Sequence, residues 1–123
     1  MGRCAVDHPP VDLLRGTLDL LILKALTGGP EHGYGVARWI ERATKGALQI
    51  EEGSLYPALH RLEDRGQIAA DWGVSDNNRR ARFYQLTPEG RRRLKRETVN
   101  WTRFARAVFA ALEATPRMLQ AEA

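Results

Sequence analysis

Cysteine is nearly absent from this sequence. Cys4 stands alone in 123 residues, which excludes an intrachain disulfide and any multi-cysteine metal cluster and fits a reducing, cytoplasmic setting. Long hydrophobic runs are missing as well: the most apolar stretch, Leu18 to Leu26, is broken by Asp19 and Lys24 and falls far short of the roughly 20 residues that span a bilayer. Met1 to Pro10 carries Asp7, His8 and two prolines where a secretory signal would have its apolar centre, so residues 1–11 are expected to form a loose arm, and no membrane partner is expected. His8, His32 and His60 fall in the arm, a turn and a helix without metal-ligand spacing or a neighbouring carboxylate and nucleophile set. They read as surface histidines, with no metal, no cofactor and no catalytic group. Gly28 to Gly35 has the glycine spacing of a phosphate loop but offers Tyr34 where the lysine should stand and follows no buried strand, so it reads as a turn. Repeats and low-complexity tracts are absent. A chain of this length makes one domain with a modest core, short for an enzyme and expected to lean on a second copy.

Charge is plentiful but uneven. The net is +4, yet Arg79 to Arg106 alone holds ten Arg or Lys against Glu89 and Glu97. Such a segment is either a surface for a polyanion or a solvated helix face, and charge alone does not choose between them.

The richest stretch runs from Glu51 to Gly66. Leu55, Leu59 and Leu62 step by four and three, one apolar stripe of a helix, and leave Ser54, Tyr56, Pro57 and Arg61 at or near the open side. Hydroxyls, an aromatic ring and a guanidinium are groups that meet phosphates and base edges, although an ordinary amphipathic surface helix has the same period. Gly66 suits a left-handed cap.

Around this segment the pattern predicts a helix over Val11 to Leu26, apolar on two sides, and a break at Thr27-Gly28-Gly29-Pro30. A second helix is expected from Gly33 to Lys45 with Val36, Ile40 and Ala43 inward and Gly46 as its stop. Gln67 to Gly73 and Ala81 to Leu86 read as two strands joined by Ser75-Asp76-Asn77-Asn78, a β-hairpin whose edge carries Arg79, Arg80 and Arg82. Thr87-Pro88-Glu89 is a helix start, with threonine at the N-cap and proline at the first helical position. The last helix should reach Ala114, with Leu94, Trp101 and Val108 every seven residues and Phe104, Ala105, Ala111 and Leu112 beside them. That is a seam for another helix, either within the chain or from a second copy.

The order of elements is that of a mainly α protein with a β-hairpin (α+β), a winged helix-turn-helix at 12–87 followed by a long C-terminal helix at 88–114 and a tail at 115–123. Leu14-Arg15-Gly16-Thr17-Leu18, His32-Gly33-Tyr34-Gly35, Gly53-Ser54-Leu55-Tyr56-Pro57-Ala58-Leu59, Arg61-Leu62-Glu63, Gly66 and Tyr84-Gln85-Leu86-Thr87-Pro88-Glu89-Gly90 together resemble the PadR family of bacterial transcriptional regulators. The match covers about Leu13 to Leu112, and the short tail resembles the compact branch with a single C-terminal dimerisation helix. The resemblance implies a homodimer that binds operator DNA and represses transcription, released by a small molecule in many members. Some members hold flat aromatic compounds between tryptophans on this helix, and Trp101 matches such a position.

The residues expected to meet double-stranded DNA are Tyr34, Ser54, Tyr56 and Arg61 from the helices and Arg79, Arg80 and Arg82 from the wing. The expected dimer seam takes Leu14, Leu18 and Leu21 from the first helix and Leu94, Trp101, Phe104, Ala105, Val108 and Leu112 from the last. Trp101 is also the candidate for an aromatic effector. A two-fold axis would set the reading helices about 34 Å apart, so a pseudo-palindromic operator is expected. Two alternatives stay open: a winged-helix module that holds another protein, which would expose an apolar patch at Pro57 and Ala58, and an architectural DNA binder without sequence preference.

Overall fold

A computed structural model describes residues 11–117, with side chains from Gly16 onward. The arm with Cys4 and His8, the side chain of Leu14 and residues 118–123 lie outside the described residues. Four helices and a small sheet follow one another as α1 (Val11–Ala25), β1 (Glu31–His32), α2 (Gly33–Ala43), α3 (Glu52–Asp64), β2 (Ile68–Val74), β3 (Arg80–Leu86) and α4 (Pro88–Glu113). A 3-10 turn over Leu26–Gly28 ends the first helix. The sheet is antiparallel in the order β1-β3-β2.

The core forms where the apolar stripes of three helices and one face of the hairpin meet. Leu18, Ile22, Leu23 and Leu26 come from α1 and its turn, Val36, Ala37 and Ile40 from α2, and Leu55, Ala58, Leu59 and Leu62 from α3. Ile50, Ile68 and Tyr84 close the cluster. Removing this much leucine and isoleucine from water is the main stabilising term, at about 1.5–3 kcal/mol for each large side chain. Leu18 is therefore spent inside the monomer, which corrects its expected place at a dimer seam. Leu21 and Leu94 pack partly against the same core. Ala58 is fully buried, so it offers no surface patch. Ala43, expected inward, is exposed, because α2 makes its last buried contact at Ile40 and ends three residues later.

Local signals act as their chemistry requires. Thr87 caps α4 by accepting the Gly90 N–H at 3.1 Å, and its hydroxyl donates to the Gly66 carbonyl at 2.7 Å, so one residue joins the end of α3 to the start of α4. Gly66 has φ +72° and closes α3 in the left-handed region. A Cβ on Gly90 would strike the Gln67 carbonyl, and this close approach seats α4 on the base of the hairpin. Asn78, at φ +61°, turns the hairpin.

Two details were not visible in the residue pattern. Glu31 and His32, expected in a turn, form a short strand on β3, opposite Tyr84 and Phe83. His32, expected at the surface, is mostly buried: its Nδ1 accepts the Gly35 N–H at 3.0 Å and caps α2, while its ring meets Phe83 edge-on at 5.4 Å. A histidine that caps must present an unprotonated Nδ1.

One charge lies in this interior. Asp19 is 3% exposed and receives Arg61 at 3.0 Å and Arg93 at 3.6 Å, and Arg93 also donates to the Gln67 side chain at 2.7 Å. Among the described residues no buried side-chain polar atom lacks a hydrogen-bond partner. Removing the acid would leave two guanidinium groups facing each other in a low dielectric. Asp19→Ala should cost about 3–5 kcal/mol of folding stability, read as a lower urea midpoint with an unchanged slope. A loss below about 1 kcal/mol would mean that water solvates the pair.

Candidate nucleic-acid interface

An open concavity of about 870 Å³ lies between the start of α2, Tyr56 of α3 and the inner face of the hairpin. The two faces of the hairpin explain its composition. In the register Ala70↔Tyr84, Trp72↔Arg82 and Val74↔Arg80, even-numbered residues of both strands share one face. That face begins in the core with Ile68 and Tyr84 and runs outward past α3, where Trp72, Val74, Arg80 and Arg82 are left exposed. Arg79 follows at the turn, and Arg38 and Arg42 approach from α2.

The aromatic residues here hold cations in place. The Arg80 guanidinium lies 4.4 Å from the centre of the Trp72 ring, a contact favoured by the negative ring face. Arg38 donates to the Tyr34 hydroxyl at 2.8 Å and sits 5.6 Å from its ring. That hydrogen bond, followed by the Coulomb attraction of Tyr34, raises the Arg38 pKa further above its ordinary value, so the group stays charged. Below them Tyr84 is buried, and the loss of water pushes its phenol pKa up, against the opposing charge of Arg82. Tyr56 is half exposed and lies over Gly33, where a Cβ would come within 2.9 Å of its ring. The hydroxyl end of the Tyr56 ring therefore packs closely against Gly33 at the start of α2.

The expected contact residues are therefore not used alike. Tyr34, Tyr56, Arg79, Arg80 and Arg82 line one concavity. Ser54 stands in the first turn of α3, partly exposed. Arg61 is turned the other way: its guanidinium is engaged by Asp19 inside the protein, which removes it from the open face. Arg82 is held by Glu63 of α3 at 2.9 Å, so one acid of the reading helix is neutralised by the wing. Arg38 and Trp72 were missed by reading the sequence. Arg38 lies four residues after Tyr34, one helical turn on, a spacing that was available as a signal. Trp72 shares its strand face with Ile68 and Ala70, but the strand has run past the core by the time it reaches this residue, which is exposed.

A third helix that brings Tyr56 to a groove lined by a basic hairpin, on a three-helix core, defines a winged helix-turn-helix protein. The signature of the transcriptional regulator PadR-like family matches residues 22–96. A transcriptional regulator of Mycobacterium tuberculosis is 32% identical over 76% of this chain and 84% of its own length, and an uncharacterized protein of Lysinibacillus sphaericus is 34% identical over 73% and 83%. A transcriptional regulator structure from Clostridium thermocellum superposes with a TM-score of 0.73 at 31% identity, covering 80% of this chain and 96% of that one. A PadR family regulator from Eggerthella lenta gives 0.70 at 30% identity, covering 85% and 89%. This chain belongs to the PadR-like family of transcriptional regulators, which are not enzymes. Among the described residues no helix is long and apolar enough to cross a membrane.

The Glu63–Arg82 pair is more exposed than the pair at Asp19, whose carboxylate is almost fully buried. A double-mutant cycle with Glu63→Ala and Arg82→Ala should give a coupling of only about 0.2–1 kcal/mol. A coupling above about 2 kcal/mol in urea unfolding would make the wing a part of the folding core.

Proposed function

We propose that the protein is a cytoplasmic homodimeric repressor that holds a pseudo-palindromic operator, with α3 in the major groove and the hairpin over the adjacent minor groove. The observation that carries this reading is the concavity between them. A phosphodiester strand is the ridge that separates a major from a minor groove, so it must pass between a reading helix and its wing. Tyr34, Tyr56, Arg38, Arg79, Arg80 and Trp72 stand where that ridge would run. Arg80 stacked on Trp72 and Arg38 tied to Tyr34 are ordered before DNA arrives, which lowers the entropy lost on binding. Arg82 is shared: a phosphate competes for it with Glu63.

The dimer is supported by the far half of α4. Its first turns pack on α1 and the hairpin, but Trp101, Phe104, Val108 and Leu112 are exposed and Ala105 partly so. A helix of 26 residues is about 39 Å long, and the described part of the chain does not fold back to cover this stripe. A second copy related by a two-fold axis covers it with the same stripe. Pro57 alone remains of the apolar patch that a protein-holding module would need on α3, since Ala58 is buried.

Replacing Arg79 and Arg80 with alanine should weaken binding to the DNA upstream of the protein's own gene. It should also flatten the plot of log affinity against log salt by about one unit per arginine, or about four per dimer. An unchanged slope in fluorescence anisotropy removes the wing from the contact surface. For release by an effector, the supporting feature is Trp101, exposed and edge-on to Phe104 at 6.5 Å on the same stripe. Trp101→Ala should abolish fluorescence quenching by a flat aromatic dye while sedimentation still gives a dimer. Undiminished dye affinity counts against a pocket at this residue.

A further inference from the structure

The face of α4 opposite the apolar stripe carries the longest uncompensated row of charge in the described chain. Arg92, Lys95, Arg96, Arg103 and Arg106 recur at helical spacing and are all exposed, with Val99 among them. At 100° per residue this row lies on the side turned away from Leu94, Trp101 and Val108, so a partner helix packed on that stripe leaves it uncovered. Of the five, Arg92 alone has an acidic partner, Glu89 at 2.8 Å. That contact, with the added charges of Arg92 and Arg96, holds the Glu89 carboxyl below its ordinary pKa.

Such a row works against the helix that carries it. Arg92 with Arg96, Arg92 with Lys95, and Arg103 with Arg106 are like charges three or four residues apart, a spacing that disfavours the helix. A merely solvated face does better with both signs interspersed. An anion along the row would remove the repulsion.

The row also starts away from the basic tip of the wing. α4 starts where Thr87 joins Gly66, at the C-terminal end of α3 and the base of the hairpin. Arg79 and Arg80 lie at the other end of the strands, about 20 Å away along six residues of strand. A phosphate held by Arg79 and Arg80 is thus too far away to neutralise the start of this row.

We propose that the outer face of α4 is a second, sequence-independent binding surface for duplex DNA, so that a dimer bound to its operator also holds another DNA segment. This rests on the reading of the groove as the operator seat. Two features favour DNA over an acidic protein. Four of the five cations are arginines, whose planar fork fits phosphate oxygens. The row extends about 21 Å from Arg92 to Arg106 with Val99 as its one apolar member, whereas protein interfaces draw their energy from clustered aromatic and apolar anchors.

The test uses the full-length protein and a labelled random-sequence duplex, added after the groove has been saturated with unlabelled DNA from upstream of the protein's gene. Capture of the labelled duplex should persist in Arg79→Ala/Arg80→Ala without the upstream DNA. It should fall about tenfold or more in Lys95→Glu/Arg96→Glu/Arg103→Glu, while affinity for upstream DNA in anisotropy stays within about twofold. Arg96→Glu places an acid four residues after Arg92, a favourable pair, and circular dichroism should show α4 intact. A parallel Lys95→Gln/Arg96→Gln/Arg103→Gln variant should show the same loss of capture in milder form. Equal capture by wild type and the triple variants, no capture by wild type, or a preference for poly-glutamate over duplex would each overturn the proposal. Loss of preference for upstream DNA with capture on α4 retained would overturn the operator reading and leave the second surface standing.

Discussion

The carboxylate of Asp19 lies among the leucines of α1 with Arg61 of α3 and Arg93 of α4 against it, and this ion group joins the three helices that carry the other surfaces. A charge so far from water is tolerated only where opposite charge and hydrogen bonds are in place. Such a group need not add net stability over apolar side chains of the same shape. It ties α1, α3 and α4 together, because separating either arginine from Asp19 would weaken the pairing of a buried charge. With Arg61 drawn inward, α3 presents Ser54 and Tyr56 near its N-terminal end. With Arg93 held, the first turns of α4 are clamped and the rest of the helix projects from the body.

Aromatic residues act on the open side as the carboxylate acts inside. Tyr34 and Trp72 are exposed, yet each fixes a guanidinium that would otherwise sample many rotamers. The acids of the reading helix look unfavourable for a polyanion, but the structure neutralises one of them: Glu63 is paired with Arg82. Its greater access to water makes that pair weaker than the one in the core. One structure thus uses the same two side-chain types, arginine and carboxylate, as a lock in the core and as a loose clasp at the surface, and burial decides which.

The last helix divides along its length in the same way. Gly90 and Leu94 belong to the body, whereas Trp101, Phe104, Val108 and Leu112 remain exposed. An apolar row of that size in water is unfavourable for a lone chain, and the basic row behind it repels itself. The two faces have opposite chemistry and call for different partners.

Most of the architecture was legible in the residues because it rests on local rules. The leucine spacing of α3, the threonine, proline and acid at the start of α4, the polar turn before Arg79 and the left-handed Gly66 each act within a few positions of themselves, so a linear reading finds them. Leu18 lies on a helical stripe like the exposed seam residues and was placed with them, since period alone does not say which stripe the chain covers by itself. His32 was misjudged for a related reason: it pairs into the sheet as part of β1 and is held against Phe83 of β3, a contact made by residues far apart in the chain. Arg61 shows the limit most clearly. The sequence determined that a long cation would stand on α3, one turn from the reading face. Its direction was decided by Asp19, 42 residues earlier, because a flexible guanidinium turns toward whichever carboxylate the tertiary fold has stripped of water.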